Sequence, residues 1–509
     1  MTTDAAPITE VDGTASLRRT IYVILLAIAI GQMAGRILAV NSVNYKTLSA
    51  RRVSERLDTF REQQIASGAD EQTVTERVQR KRRELVQKIS LERPFLSAND
   101  RSRWLTVRSL VEDGTYEVDN FFREPRWDSI DMVSHLGRDG EQHYYSSKPP
   151  LLATLVAGKY WVVHKLTGWT LGTHPYEVGR LLLLIINIPA MLILFIVIAK
   201  LAEQLGTTDW GRLFVVASAT LGTLLTTFSI TLNNHTIAAA SAAVAIYFYV
   251  QIARSIEPRS WHYAACGLAT AFTAANELPA VAFLVLLGLL LLVRDWRKTL
   301  LFGLPSVLLV AAAFFGTNYL AHDSLKPPYM HRSEDPADNW YLFSYEKNGR
   351  TVQSYWHNRQ GIDAGELSKQ TYAWHVLVGH HGVYSLTPIW LFTLGGICIW
   401  TFRGNRIQRE LALAALALTI TCFVFFIALR PQMDRNYGGM TSGFRWMFWF
   451  APLWLVTMLP MVDTIYRSRV ARAVALLLLA MSVLSVSYPT WNPWEQPWLY
   501  NALEHYGWL

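Results

Sequence analysis

The fold is decided first by an apolar stretch near the N-terminus, Ile21–Val40, which reads IYVILLAIAIGQMAGRILAV. As a helix, its 20 residues would span roughly 30 Å, the thickness of a bilayer's hydrocarbon core. Arg18 and Arg19 precede it, and no clean small-residue cleavage site follows. We therefore expect an uncleaved membrane anchor rather than a signal peptide.

The composition extends this prediction to the whole chain of 509 residues. Hydrophobic residues make up 51% and charged residues 17%, against about 25% charge in an average soluble protein. The net charge of +8 comes largely from short basic clusters beside apolar runs, so it predicts no nucleic-acid partner. This pattern excludes intrinsic disorder and an ordinary soluble enzyme. The three cysteines lie unpaired in apolar segments and predict neither a disulfide framework nor a metal site.

Ten further apolar runs predict an all-α polytopic membrane protein with about 11 transmembrane helices. Helices 2–7 fall within 178–320 and helices 8–11 within 384–488. The runs lie near 178–199, 213–231, 236–253, 262–276, 279–293, 300–320, 384–402, 411–429, 444–465 and 472–488.

The distribution of Lys and Arg predicts the orientation of these spans. With residues 1–20 in the cytoplasm and 21–40 as the anchor, the basic clusters fall in inside loops. The segments 41–177 and 321–383 and the Trp-rich tail 489–509 then lie outside, in what we expect to be a bacterial inner membrane. Residues 151–166 are apolar but short, and counting them as a span would invert this pattern. We therefore predict an interfacial helix there.

The first outside loop begins with a charged segment, 50–92, that has helical periodicity on both sides of a turn at Ser67–Asp70. This predicts a helical hairpin. Its basic surplus is compatible with an anionic lipid or polymer, but we favour a solvated charged face.

Polar residues concentrate in the next segment, 97–150, which ends in Lys148-Pro149-Pro150. Two prolines before the interfacial helix would hold Lys148 at membrane level, where its point charge suits a lipid phosphate. The alternative is a lysine that only marks the interface.

Three motifs together resemble the membrane glycosyltransferases of the GT-C superfamily that use polyprenyl-phosphate sugars, such as protein O-mannosyltransferases and the aminoarabinose transferases of lipid A. The first is Asn99–Trp104 (NDRSRW) followed by Arg108–Gly114 (RSLVEDG). The second is Gly140–Leu151 (GEQHYYSSKPPL), and the third is the glycine-rich Tyr437–Arg445 (YGGMTSGFR). The resemblance depends more on the order of the three motifs, and on their predicted position on the same side of the membrane, than on any single motif.

The resemblance implies transfer of a sugar, with inversion, from a polyprenyl-phosphate donor to an acceptor hydroxyl at the outer face. Asp100 would be the catalytic base. Lys148, Arg445 and Arg435 would neutralise the departing lipid phosphate. Arg101 stands where family members often have a second acid, which speaks against a paired-carboxylate site.

Other polar residues in the two outside loops are candidates for binding the acceptor or substrate. Glu277 lies at an outside turn, where it is either solvated or paired, and Asn233–His235 is most simply a helix cap. No metal-ligand spacing is present, so no cofactor is predicted, and a divalent cation has no motif to support it. The candidate binding residues are Asp113, Asp119, Tyr144, His380 and His381.

The expected partners are the lipid-linked sugar, membrane lipids, and a lipid, glycan or protein acceptor. A transporter or lipid flippase is the main alternative, but the spans are almost free of acids and show no repeat. A catalytically inactive scaffold is a third reading, which Arg101 makes conceivable.

Overall fold

The computed structural model describes residues 8–40, 45–88, 94–124, 126–333, 335, 338–347, 350–489 and 491–509. In these residues, long helices pack side by side and two long loops cover one end of them. The helices are α1 (Ile8–Ala39), α2 (Tyr45–Ala66), α3 (Glu71–Lys88), α4 (Ala98–Glu112), α5 (Asp119–Phe122), α6 (Pro150–Thr167), α7 (Pro175–Leu205), α8 (Asp209–Leu221), α9 (Asn234–Arg254), α10 (Ser260–Asn276), α11 (Val281–Lys298), α12 (Leu304–His322), α13 (Lys369–Leu377), α14 (Val383–Leu386), α15 (Leu391–Arg403), α16 (Arg406–Phe423), α17 (Ala451–Thr464), α18 (Arg469–Ser487) and α19 (Trp498–His505). The strands are β1 (Met132–Leu136), β2 (Gln142–Ser146), β3 (Ser344–Lys347) and β4 (Arg350–Gln353).

Seven helical segments of the described chain are long and apolar enough to cross a membrane, as expected of an integral membrane protein. They are Gly13–Ala39, Pro175–Leu205, Asn234–Arg254, Leu278–His322, Arg406–Leu429, Arg445–Arg467 and Arg469–Ser487. Each of the eleven predicted runs contains a helix, but α8, α10 and α15 have only 13, 17 and 13 residues. The number eleven therefore stays a prediction.

The 45-residue segment Leu278–His322 holds two of the predicted spans. It turns at Asp295, whose φ of −158° and ψ of 95° are not helical, and whose carboxylate accepts a hydrogen bond of 3.0 Å from the Lys298 amide. Both α11 and α12 pack against α10. The approach of α10 is so close that a Cβ on Gly267 would lie 2.5 Å from the carbonyl oxygen of Gly303. The segment therefore folds back on itself.

Ion pairs connect one end of the helices. Arg18, near the start of α1, donates to Glu203 at the end of α7 (2.6 Å) and to Asp209 at the start of α8 (2.5 Å). Arg294 at the end of α11 pairs with Glu410 near the start of α16. We call this the Arg18 end. The start of one helix lies beside the end of another here, as expected when consecutive helices cross a membrane in opposite directions. The side of the membrane that the Arg18 end faces stays a prediction.

The expectation of an all-α protein is wrong in one respect, because the long loops contain two antiparallel hairpins, β1–β2 and β3–β4. In the first, Met132 pairs with Ser146 and Leu136 with Gln142. The aromatic pair Tyr144-Tyr145 in β2 favours extended backbone. The positive φ of Gly140 (81°) suits the turn between the strands.

The two long loops pack on each other. The Ser134 amide in β1 donates to the carbonyl of Trp340 (2.9 Å), and the Trp356 indole donates to the carbonyl of Ile130 (2.7 Å). The first loop also carries the charged helical hairpin, α2 and α3, with Val53, Val74 and Leu85 buried. Of the predicted hairpin range 50–92, residues 89–92 lie outside the described residues.

The predicted helix at 151–166 is present as α6, which begins at Pro150 and is followed by Gly168 with a φ of 72°. A proline at the first helical turn and a left-handed glycine after the last are common helix boundaries. Helix α6 packs on α4 and α12. Its predicted position at the membrane interface stays a prediction.

Candidate functional site

Asp100, the predicted base, lies in the first turn of the buried helix α4. Its carboxylate accepts hydrogen bonds from the Leu232 amide (2.9 Å), the Leu96 amide (3.3 Å) and the Trp104 indole (3.0 Å), and it is 1% exposed. Burial raises its pKa to about 6, although the two amides oppose this shift. The carboxylate therefore connects α4 to the segment that precedes α9.

Arg101, which replaces a second acid in the motif, is also a structural residue. Its guanidinium donates to the carbonyls of Pro94 (3.1 Å), Asp128 (3.1 Å) and Phe95 (3.4 Å). It therefore fixes the start of α4.

The β1–β2 hairpin brings Lys148 to Asp131. Asp131 directly precedes β1 and Lys148 follows β2, so the pairing of Met132 with Ser146 places both side chains at one end of the hairpin. The Lys148 Nζ lies 3.2 Å from Asp131 Oδ1, and the side chains are only 19% and 14% exposed.

The guanidinium groups of Arg103 and Arg445 lie close to this ion pair, and both shift the pKa values of its two members. Burial alone would raise the pKa of Asp131, but the charges of Lys148, Arg445 and Arg103 hold it below the ordinary value. Burial lowers the pKa of Lys148 to about 8; Asp131 opposes this shift, and the positive charges of Arg103 and Arg445 add to it. The three cations and Asp131 therefore form one electrostatic unit.

Arg103 and Arg445 reach this unit from distant parts of the chain. Arg103 lies on α4, is 6% exposed, and donates to the carbonyl of Asn99 (3.1 Å). Arg445 follows the glycine-rich loop 436–443, and its Nε donates to the carbonyl of Gly438 (2.7 Å). The Arg445 guanidinium lies 4.8 Å from the ring centre of Trp494. Trp494 is 7% exposed and thus packs into the site.

Glu277 and His235 were not recognised as site residues from the sequence. Glu277 is 6% exposed and His235 is 2% exposed, and the His235 Nδ1 is hydrogen-bonded to a Glu277 oxygen. Asn233 is the helix cap, as predicted, and accepts from the Thr236 amide (3.0 Å). Asn234, however, donates to Glu277 (2.8 Å). Of the two readings of Glu277, the paired one is confirmed.

We call Arg103, Lys148, Arg445, Asp131 and Glu277 the cation cluster. These side chains are three cations and two carboxylates, and the charges of Asp100 and Asp363 also act on Arg103 and Arg445 respectively. The cluster lies where α9 begins, α10 ends and Arg445 precedes α17, opposite the Arg18 end. A buried charge is costly unless it is neutralised. The grouping of three cations suits an anion.

A small apolar cavity of about 30 Å³ lies beside the residues that flank Arg445. Phe444 and Phe448, which flank Arg445, line it together with Leu224, Trp390 and Trp454. The Phe448 ring lies 6.1 Å from the ring of His235. The cation cluster thus adjoins an apolar surface.

Of the predicted phosphate ligands, the structure brings Lys148 and Arg445 together but not Arg435. The Arg435 guanidinium donates to the carbonyl of Leu367 (2.9 Å), away from the cluster. His380 and His381 are also buried, and both rings pack against Tyr437 at 5.0 Å.

The other predicted binding residues lie elsewhere in the first loop. Asp113 is exposed in the turn after α4 and accepts from the Asn120 amide group (3.0 Å). Tyr144 is in the apolar core, with its ring 5.0 Å from that of Phe122. Asp119 lies 3.3 Å from the Nδ1 of His143.

One group of described residues has the spacing of metal ligands, which the sequence did not indicate. Ligand atoms of Glu117, Asp119 and His143 lie within 4.8 Å of one another. The other ring nitrogen of His143 is 2.9 Å from Asp139. Exposed acidic groups often lie this close without a metal, and these residues are separate from the cation cluster.

Comparison with known proteins gives likeness at the level of structure only. No family model and no curated protein matches the sequence. ArnT from Cupriavidus metallidurans in the apo state is 13% identical with a TM-score of 0.43, over 76% of this chain and 58% of that one. The Archaeoglobus fulgidus oligosaccharyltransferase with Zn and sulfate is 13% identical with a TM-score of 0.43, over 81% and 52%.

ArnT bound to undecaprenyl phosphate is 12% identical with a TM-score of 0.40, over 78% of this chain and 72% of that one. The chain thus spans little more than half the length of the first two structures. ArnT and the archaeal enzyme are both membrane glycosyltransferases of the GT-C superfamily, the group that the three sequence motifs resemble. At TM-scores below 0.5, the chemistry of the site has to be argued from this chain's own residues.

Proposed function

We propose that the protein is a glycosyltransferase that moves a sugar from a polyprenyl-phosphate donor to an acceptor hydroxyl at the membrane surface. The observation that carries this proposal is the grouping of three cations from distant parts of the chain, Arg103, Lys148 and Arg445, around Asp131. A polyprenyl-phosphate sugar is a phosphodiester with one negative charge and an isoprenoid tail. Its phosphate would pair with these cations, and its tail would lie in the membrane.

In the proposed reaction, the acceptor oxygen forms a bond to the anomeric carbon of the sugar. The bond from that carbon to the phosphate oxygen breaks, and its electron pair stays on the phosphate. The acceptor's hydroxyl proton passes to a carboxylate, for which we propose Asp131. Asp100 has both oxygens hydrogen-bonded and is buried, so we propose it as a positioning residue.

The charges in the cluster support this choice of base. The donor phosphate carries one negative charge and the lipid phosphate product carries two. Protonation of Asp131 would make the cluster more positive by one charge at the same step. It would also release Lys148 from its ion pair, so that the ammonium could follow the departing phosphate.

The proposal is tested with purified protein in lipid nanodiscs. Binding of undecaprenyl phosphate is measured first, and then transfer from a panel of polyprenyl-phosphate sugars. We expect Lys148→Ala and Arg445→Ala each to lose roughly 10- to 100-fold in lipid-phosphate affinity, since each removes a charge-assisted hydrogen bond. The control is Lys159→Ala, which removes an exposed lysine from α6.

The outcomes separate the alternative functions. Binding with sugar transfer supports the enzyme. Binding of the lipid with no transfer across a complete sugar panel would favour a flippase. Affinities that are equal in wild type, Lys148→Ala and Arg445→Ala would remove the cation cluster from the site.

A further inference from the structure

The side chains of Asn234, Glu277 and His235 connect the two guanidinium groups of the cation cluster. The Arg103 Nη2 donates to Asn234 Oδ1 (2.5 Å), and Asn234 Nδ2 donates to Glu277 Oε1 (2.8 Å). The same Glu277 oxygen is hydrogen-bonded to His235 Nδ1, and the Arg445 Nη1 lies 3.2 Å from His235 Nε2. The chain of hydrogen bonds is thus unbroken from Arg103 to Arg445.

The hydrogen bonds fix which nitrogen of His235 carries the proton. A guanidinium group only donates hydrogen bonds, so His235 Nε2 has to accept from Arg445 and is unprotonated. The ring proton is then on Nδ1 and is donated to Glu277. Glu277 therefore selects the tautomer that can hold Arg445.

The connecting residues are held by rigid parts of the fold. Asn234 and His235 form the first turn of α9, which Asn233 caps, and Asn234 also donates to the carbonyl of Asn276 (2.8 Å). Glu277 follows α10 directly. Because both helices belong to the packed bundle, these side chains have little freedom to move.

We propose that Asn234, His235 and Glu277 are positioning residues that set the separation and direction of the Arg103 and Arg445 guanidinium groups, so that both bind one phosphate. This inference rests on the proposed function of the cluster as a lipid-phosphate site. Orienting the cations in advance lowers the ordering cost of binding. The three residues would thus raise affinity without contacting the ligand.

The test compares two substitutions of His235 for binding of undecaprenyl phosphate in nanodiscs. We expect His235→Ala to weaken binding roughly tenfold, the effect of one hydrogen bond to a charged group. His235→Gln should stay within about twofold of wild type, because its amide oxygen can accept from Arg445 as Nε2 does. The matched control is His164→Ala, whose imidazole bonds to the carbonyl of Trp169 at the far end of α6.

A double-mutant cycle separates positioning from general damage to the fold. If His235 acts through Arg445, then His235→Ala should cause no further loss of affinity in an Arg445→Ala protein. Asn234→Ala should likewise cause no further loss in an Arg103→Ala protein. Melting temperatures of all variants identify any that fail to fold. If His235→Ala does not fold, the affinity of His235→Gln is compared with that of wild type instead.

The outcomes distinguish this inference from the proposed function. Wild-type protein that binds no undecaprenyl phosphate would overturn both. Wild-type binding with an unchanged His235→Ala affinity would overturn the inference alone. So would an equal loss from His235→Ala in the presence and absence of Arg445.

Discussion

The two ends of the helical bundle both carry buried cations, but these cations are paired differently. At the Arg18 end, Arg18 bonds to Glu203 through two nitrogens and to Asp209 through a third, and Arg212 also pairs with Asp209. In the cation cluster, Lys148 pairs with Asp131, whereas Arg103 and Arg445 donate to carbonyls and neutral side chains.

We infer from this difference which end binds a ligand. Directly paired charges satisfy each other and connect helices, so they need no ligand. Buried guanidinium groups without a directly paired carboxylate are unfavourable in the empty protein and are stabilised by an anion. In our proposal, the same types of residue therefore stabilise the fold at one end and form a binding site at the other.

The largest expected effect is on the rate of sugar transfer, which tests the proposed role of the cation cluster. Asp131→Asn should lower the transfer rate about 10²- to 10⁴-fold, the usual contribution of a general base. Affinity for undecaprenyl phosphate should be retained or increase, because the cluster loses a negative charge. Rate and affinity are measured on the same preparation.

Asp100→Asn is the matched variant for this prediction. We expect it to lower the melting temperature, because it disturbs the contact with Leu232, and to change the rate less than Asp131→Asn does. The opposite order of rates would return the role of base to Asp100.

A smaller effect is expected from pH. With the pKa of Lys148 lowered to about 8, the ammonium loses its charge as the pH rises through that value. Affinity for undecaprenyl phosphate should therefore decrease between about pH 8 and 9.5. The lipid phosphate itself does not titrate there, since its second pKa is about 6.

Lys148→Arg provides the comparison, because a guanidinium group stays charged throughout this range. Its affinity should be nearly constant between about pH 8 and 9.5. A decrease as steep as that of wild type would assign the titration to another group.

The smallest expected effect is at the Arg18 end. Arg18→Ala leaves Glu203 without its main partner and should destabilise the protein by about 1–2 kcal/mol, measured by thermal unfolding in detergent. Affinity for undecaprenyl phosphate should not change. A loss of affinity as large as that of Arg445→Ala would contradict the proposed division between the two ends.

The sequence predicted the local features of the molecule well. Apolar runs predicted the positions of the helices, and the Pro149-Pro150 pair predicted the start of α6 close to Lys148. Lys148 and Arg445 were both proposed from local motifs, and the structure places both near Asp131. Local patterns also predicted the cap at Asn233.

What could not be predicted depends on contacts between distant residues. Glu277 was ambiguous because its partner, His235, is 42 residues away and on another helix. Arg103 was missed because nothing in the motif indicates which side of α4 faces the cluster. Asp100 was chosen as the base from its motif alone, since the sequence does not show that Leu232 and Leu96 use its oxygens.

The site residues lie far apart in the sequence, and this has a consequence for biogenesis. Arg103 and Lys148 are synthesised early, whereas Arg445 and the Trp494 ring that lies against it come hundreds of residues later. During synthesis, the first loop is therefore present before the residues that complete the site, Arg445 and Trp494. If the cluster binds a lipid phosphate as proposed, the complete site forms only after the last helices have been inserted.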